Sequence, residues 1–154
     1  MQEVTEVQLL RFSLDEQSYA IELDSIRKVL RTVAICPIPQ APHAICGVIN
    51  VQGKLLPVVD LRQKFGLPPR PPHIEDRLIW ASCTRLDLLL LVDSVDDVFC
   101  TTVSESIANG ILPSPSAMLK GIASLPDGIL LIHDVSALLN LNEQKELRDA
   151  MPDH

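Results

Sequence analysis

The chain has 154 residues, 47% of them apolar and 21% charged, enough for one domain or two very small ones. Its net charge is −7, with Lys and Arg scattered singly, which argues against binding a phosphate backbone or docking on anionic lipid. Aromatic residues make up only 3%, so Leu, Ile and Val must build the core, and runs of these residues favour strands.

Met1 to Glu6 is polar and acidic and reads as no secretory signal. No stretch approaches the ~20 consecutive apolar residues of a membrane span. From Val7 to Leu14, Leu10, Phe12 and Leu14 share one face and Arg11 and Ser13 the other, which predicts a strand. A second strand is predicted over Tyr19 to Leu23, followed by Asp24-Ser25-Ile26-Arg27-Lys28-Val29. Gly47 opens an apolar strand that reaches the turn Gln52-Gly53-Lys54, where glycine tolerates the positive φ of a tight hairpin. Leu55 to Val59, with Pro57 inside it, is continuously apolar, as in a strand buried on both faces. Asp60 stands where a helix N-cap is needed, and Gly66 where a left-handed residue should end that helix.

The Pro-rich stretch Leu67 to His73 reads as a stiff connector. Strands are then predicted over Arg77 to Thr84 and Leu88 to Val92, followed by Asp93-Ser94-Val95-Asp96-Asp97-Val98. Asn109 to Ala117, with a glycine and two prolines, reads as a loop. From Gly121 to Leu141 the grammar of Gly47 to Leu67 recurs: glycine, strand, turn at Pro126-Asp127-Gly128, strand, Asp134 as N-cap, and Asn140 at the helix end. Asn142 to Ala150 is predicted as a final helix, with Asn142 as cap and Glu143 and Glu146 suited to its dipole.

The glycines, aspartates and closing leucines of the two long segments match at an offset of 74. Asp24 to Val29 and Asp93 to Val98 match at 69. Residues 7–67 and 76–141 therefore read as two copies of one strand-rich unit, with 142–154 as a helical tail. Two short halves of this kind predict a mainly β chain of two small barrels, with strands free to cross between them.

Signals for chemistry are weak. Cys36, Cys46, Cys83 and Cys100 contain no C-x-x-C pair, so reduced cysteines used as small hydrophobes are expected rather than a zinc site. His133 precedes Asp134, but its repeat counterpart is Val59, which favours a structural role over an acid–base pair. His43 and His73 lie beside prolines and read as loop residues. Asp93, Asp96 and Asp97 are too few and too close for a calcium loop and read as a solvated acidic turn. Gly47 and Gly53 lack the Lys-Ser/Thr of a phosphate loop. No catalytic residue, cofactor or metal is expected. Ile26, Val29, Val95 and Val98, where apolar residues meet charges, either anchor a protein interface or face the core.

Gly47-Val-Ile-Asn-Val-Gln-Gly-Lys-Leu-Leu-Pro-Val-Val-Asp-Leu61 resembles the signature of the CheW-like domain family, G-V-x-N-L-R-G-x-x-x-P-V-x-D-L, and the resemblance extends over about residues 7 to 141. It implies two five-stranded SH3-like β-barrels with a few short helices. It further implies a cytoplasmic, non-enzymatic adaptor, recruited to receptor arrays, that binds the regulatory domain of a CheA-type histidine kinase and the cytoplasmic tip of chemoreceptors. On that resemblance, partner contacts are expected at Ile26, Lys28, Val29, Gly47, Gln52, Gly53, Lys54, Val95 and Val98. Structural roles are expected at Pro57, Asp60, Gly66, Gly121 and Asp134. Two positions depart from the family pattern: Gln52 replaces its usual arginine and Lys28 its usual glutamate. These changes suggest a non-standard pathway, such as a second chemotaxis-like system or one governing pilus-driven surface motility. The rival readings are a CheW-like protein that binds one partner only, as competitor or cap, and a small-ligand or metal-binding enzyme on a β-barrel.

Overall fold

A computed structural model describes residues 4–31, 35–37, 44–71, 73–83, 86–104, 119–126 and 128–135, together with 145 and 149. In chain order the elements are β1 (Val4–Leu14), β2 (Gln17–Glu22), a 3-10 turn (Leu23–Ser25), β3 (Ile26–Arg31), β4 (Ile45–Val51), β5 (Lys54–Asp60) and α1 (Leu61–Lys64). They continue with β6 (Arg77–Cys83), β7 (Leu86–Val92), β8 (Ser94–Ser104), β9 (Leu119–Leu125) and β10 (Gly128–His133). The predicted loop at 109–117, the helix after Asp134 with Asn140, and His43 lie outside the described residues. So does the C-terminal helix, except for Lys145 and Asp149, which are helical.

The strands form a closed barrel, β1-β2-β10-β9-β8, and a five-stranded sheet, β3-β6-β7-β5-β4. Each combines strands from both sequence halves. Under the repeat, β6 and β7 correspond to β1 and β2, while β3, β4 and β5 correspond to β8, β9 and β10. The first two strands of each half thus join the last three of the other. The exchange is sealed by two parallel pairings, β10 with β2 and β5 with β7. Beyond the β4 edge of the second sheet, the described residues 35–37 add one further pairing. There Cys36 N donates to Val48 O at 2.9 Å, and Val48 N donates to Cys36 O at 2.8 Å.

Apolar alternation sorts these strands into three buried clusters. Leu9, Ala20, Leu130 and Ile132 fill the closed barrel. Ile49, Leu56, Val58, Leu78 and Leu89 fill the second unit. The remaining cluster includes Phe12, Leu14 and Ile21 from the barrel and Val59, Ile79, Ala81, Leu88 and Leu90 from the sheet, and it joins the two units. The strands of the uninterrupted apolar runs face one cluster with each side: Val58 and Leu89 look into the second unit, while Val59, Leu88 and Leu90 look toward the barrel. Burial on both faces is what such runs require.

Candidate functional site

The residues singled out on β3 divide by exposure. Ile26 is half-buried against the central cluster, whereas Lys28 and Val29 are exposed, Val29 by 38%. On β8, Val95 packs against the same cluster, while Asp97 and Val98 are exposed, Val98 by 52%. Of the four apolar candidates, Ile26 and Val95 are thus core-facing, and Val29 and Val98 present carbon to solvent.

Gln52, Gly53 and Lys54 are exposed at the β4–β5 turn. Gln52 and Gly53 both have left-handed φ, 53° and 86°, the pattern of the hairpin turns that follow strand twist. Asn50 Oδ1 braces the turn by accepting from Gly53 N at 2.9 Å. Lys54 shares a face of β5 with Leu56 and Val58, and there the apolar interior of the second unit gives way to a polar layer. Asp87 is the centre of that layer. It accepts from Lys54 Nζ at 3.0 Å, Trp80 Nε1 at 3.1 Å and Ser82 Oγ at 2.7 Å. The Arg27 guanidinium lies 3.7 Å from Asp87 and 5.8 Å from the centre of the Trp80 ring. Burial pushes the Asp87 carboxyl up, but these hydrogen bonds and the Lys54 charge outweigh it and hold the group below its ordinary value. Four adjacent strands are tied together at this end of the unit.

The remaining residues fix the backbone. Gly47 is buried in β4, where an added Cβ would collide with the carbonyl oxygen of Cys36 and lie 2.6 Å from Ile35 Cγ2. Strand β4 begins two residues before Gly47 and β9 two residues before Gly121, rather than at the glycines. In both strands the register shifts just there, leaving Cys46 and Lys120 as bulge residues. Burial, and then the Asp60 carboxylate, push the Cys46 thiol up to about 11. Pro57 is buried in β5. Asp60 caps α1 by accepting from Arg62 N at 3.0 Å, and Gly66 ends it at φ 75°. Asp134 follows β10 and is half-buried.

Sequence reasoning missed Arg62. Its guanidinium is buried and reaches Asp15 Oδ1 at 2.6 Å, Asp93 Oδ2 at 2.7 Å and the Pro68 carbonyl at 3.2 Å. Arg70 adds a second contact to Asp93 at 3.0 Å. The reading of Asp93, Asp96 and Asp97 as a solvated turn is therefore corrected. Asp93 is held by two guanidinium groups, Asp96 accepts from Ser13 Oγ at 2.6 Å, and among the described residues Asp97 alone of the three is exposed without an ion pair. No sequence signal marked Arg62, because its carboxylate partners lie 47 and 31 residues away. His133 is buried, with its ring 4.6 Å from Phe65 and 5.6 Å from Tyr19, so it takes up the core position that Val59 fills in the other half.

Among the described residues, one hollow of about 320 Å³ lies beside Glu6, Glu22 and Asp24, and another of about 400 Å³ beside Asp60, Arg62 and Gly66. In the second, Arg62 is already committed to carboxylates of the chain itself. No cluster of metal-ligating side chains and no helix long and apolar enough to cross a membrane occurs among the described residues.

A family model described as the CheW-like domain matches residues 8–143. The chain is 27% identical over 145 residues to a probable chemotaxis protein CheW of Rhizobium etli, covering 90% of each. It is 30% identical over 125 residues to chemotaxis protein CheW of Rhizobium meliloti, covering 81% of this chain and 77% of that one. Its fold matches a crystal structure of the scaffolding protein TtCheW from Thermoanaerobacter tengcongensis with a TM-score of 0.79 and 28% identity, over 90% of this chain and 96% of that one.

Proposed function

The chain belongs to the CheW-like domain family, and from that premise we propose that it is a non-enzymatic adaptor that couples the cytoplasmic tips of chemoreceptors to the regulatory domain of a CheA-type histidine kinase. The observation that carries this reading is the placement of its exposed candidates. Lys28, Val29, Gln52, Gly53, Lys54 and Val98 lie on outward strand faces and a braced turn, spread over both units, rather than around a cavity. An adaptor needs two separate docking surfaces, and a rigid β framework presents them without moving parts. Titration of the purified chain with each partner alone tests the reading. Binding to both, with a ternary complex, is expected. Binding to one partner only would replace it with a competitor or cap, and binding to neither, with a melting shift on adding a metal or metabolite, would favour the ligand-binding alternative.

Lys28 and Gln52 support a narrower reading, in which the chain serves a divergent pathway with its own kinase. Both are exposed, so their departure from the family pattern changes surface charge without disturbing the core. Lys28→Glu with Gln52→Arg is expected to strengthen binding to a standard chemotaxis kinase by about tenfold or more. Ordinary affinity of the unaltered chain for that kinase would overturn the idea.

A further inference from the structure

The polar layer around Asp87 carries more positive charge than its one carboxylate neutralises. Arg27 of β3 and Lys54 of β5 reach it from opposite sides, across β6 and β7. Arg27 Nε stands 3.7 Å and Lys54 Nζ 3.0 Å from the same oxygen, Asp87 Oδ2. Asp87 is nearly buried, whereas each cation is more than half exposed. Lys28 adds a third positive charge. It pairs with Trp80 across β3 and β6, so the two side chains share a face. Among the described residues, Asp87 is the one acidic partner of Arg27 and Lys54, and Lys28 has none.

A chain of net charge −7 thus gathers three cations around one carboxylate at one end of its second unit. Lys28 stands where the family pattern has glutamate, so the excess is a property of this chain rather than of the pattern. The Arg27 guanidinium is already oriented. Its Nε points to Ser82 Oγ at 3.4 Å, and its central carbon lies over the Trp80 ring, 5.8 Å from the ring centre. Its two terminal nitrogens have no acceptor among the described residues, and they form the fork that suits an oxyanion. We propose that this end of the second unit binds a small, doubly charged oxyanion, a phosphate or a dicarboxylate, between the Arg27 fork and the Lys54 ammonium, with Lys28 at its edge. Asp87 fixes the spacing of the two cations, and the two charges of the anion offset the excess that Asp87 leaves. Ends of β-barrels are a common place for small-ligand sites. Three cations at one spot grip one such anion and not an extended phosphate backbone, so the exclusion of nucleic acid stands.

Trp80 is the single tryptophan and donates to Asp87, so its emission reports this site. The purified chain is titrated with inorganic phosphate, and separately with succinate, at constant ionic strength set with sodium chloride. Equilibrium dialysis with the same two labelled anions counts bound ligand independently of emission. Saturable binding of at least one of them is expected, with no response to added chloride. The tighter of the two identifies the ligand as phosphoryl or carboxylate. Lys28→Glu restores the residue of the family pattern, and Arg27→Gln removes the fork; each is expected to weaken binding by about tenfold or more. Arg27→Lys keeps the charge without the fork and is expected to bind at an intermediate level. Both positions are exposed, so urea midpoints close to that of the parent are expected. Dialysis that retains neither anion would overturn the proposal, as would variants that bind like the parent. No kinase or receptor is present, so the outcome is independent of the adaptor reading.

Discussion

The guanidinium of Arg62 meets the carboxylate of Asp93 at 2.7 Å across 31 residues of sequence, joining the helix that ends the first half of the chain to the β7–β8 junction of the second. The same guanidinium holds Asp15 in the β1–β2 turn, and Asp15 N donates to Asp93 Oδ2 at 3.0 Å. Three connections that the exchange of strands brings to one place thus meet at one buried cation, and Arg70 adds a second hold on Asp93.

Arg62→Ala is expected to destabilise the chain by about 2 kcal/mol, because it removes the buried cation that joins exposed Asp15 to half-buried Asp93, while Arg70 still holds Asp93. Arg62→Lys should recover only part of this, since an ammonium cannot reproduce the fork that reaches Asp15, Asp93 and the Pro68 carbonyl together. Urea unfolding of the three proteins checks the order. Equal stability of the alanine variant and the parent would show that the cluster contributes no net stability.

Gly47 and Gly53, six residues apart, should respond differently to alanine. At Gly47 a methyl group collides with the Cys36 backbone, which pairs with Val48 of β4, and about 3 kcal/mol of destabilisation is expected. At Gly53 the space is open and only the left-handed φ opposes alanine, at about 1 kcal/mol. Thermal unfolding of both variants reads the difference. A larger loss at Gly53 would contradict the close approach of Cys36 to β4.

These two glycines also show what the sequence makes legible. Local chemistry is readable: the turn at Gly53, the cap at Asp60, the left-handed Gly66 and the doubly buried Leu55 to Val59 all follow from spacing and residue type, and all appear in the structure. The repeat also reveals the duplication, because β5 and β10 are the same strand written twice. What spacing does not encode is which copy pairs with which. The parallel joins of β10 to β2 and β5 to β7 are long-range, and either pairing satisfies the same apolar pattern. The same limit hid the docking candidates' true company. Lys54 is visible as a turn residue, but its bond to Asp87, 33 residues on, exists only once β5 lies beside β7. Val29 and Ile26 stand three apart, as on opposite faces of a regular strand, and only the one-residue bulge at Arg27 puts both on the face of Ala81 and Ile79.

The cysteines should separate by reactivity. Cys36 and Cys100 are exposed, whereas the Cys46 thiol is partly buried and raised to about 11. Thiolate is the reactive form, so at pH 8 labelling of Cys46 is expected to lag behind an ordinary exposed thiol by on the order of 100-fold. Mass spectrometry of peptides after timed alkylation of the native protein checks this. Labelling of Cys46 as fast as Cys36 would show that the bulge in β4 opens readily.

Asp87 should set part of the acid sensitivity of the fold. Hydrogen bonds from Ser82, Lys54 and Trp80, with the Lys54 charge, hold its carboxyl below the ordinary 3.8 despite the opposing effect of burial. The native state therefore binds fewer protons here than the unfolded chain. The stabilisation is complete above the unfolded value and is lost as the pH falls below about 4 and through the depressed native value. Asp87→Asn, which carries no charge to lose, should be less stable than the parent at neutral pH, and the gap should narrow steadily as the solution is acidified. Trp80 is the single tryptophan and donates to the same carboxylate, so its fluorescence reports unfolding from within the polar layer. Urea midpoints of both proteins between neutral pH and about pH 3 decide the matter: a gap that stays constant across that range would mean Asp87 contributes through shape and hydrogen bonding alone, and not through its charge.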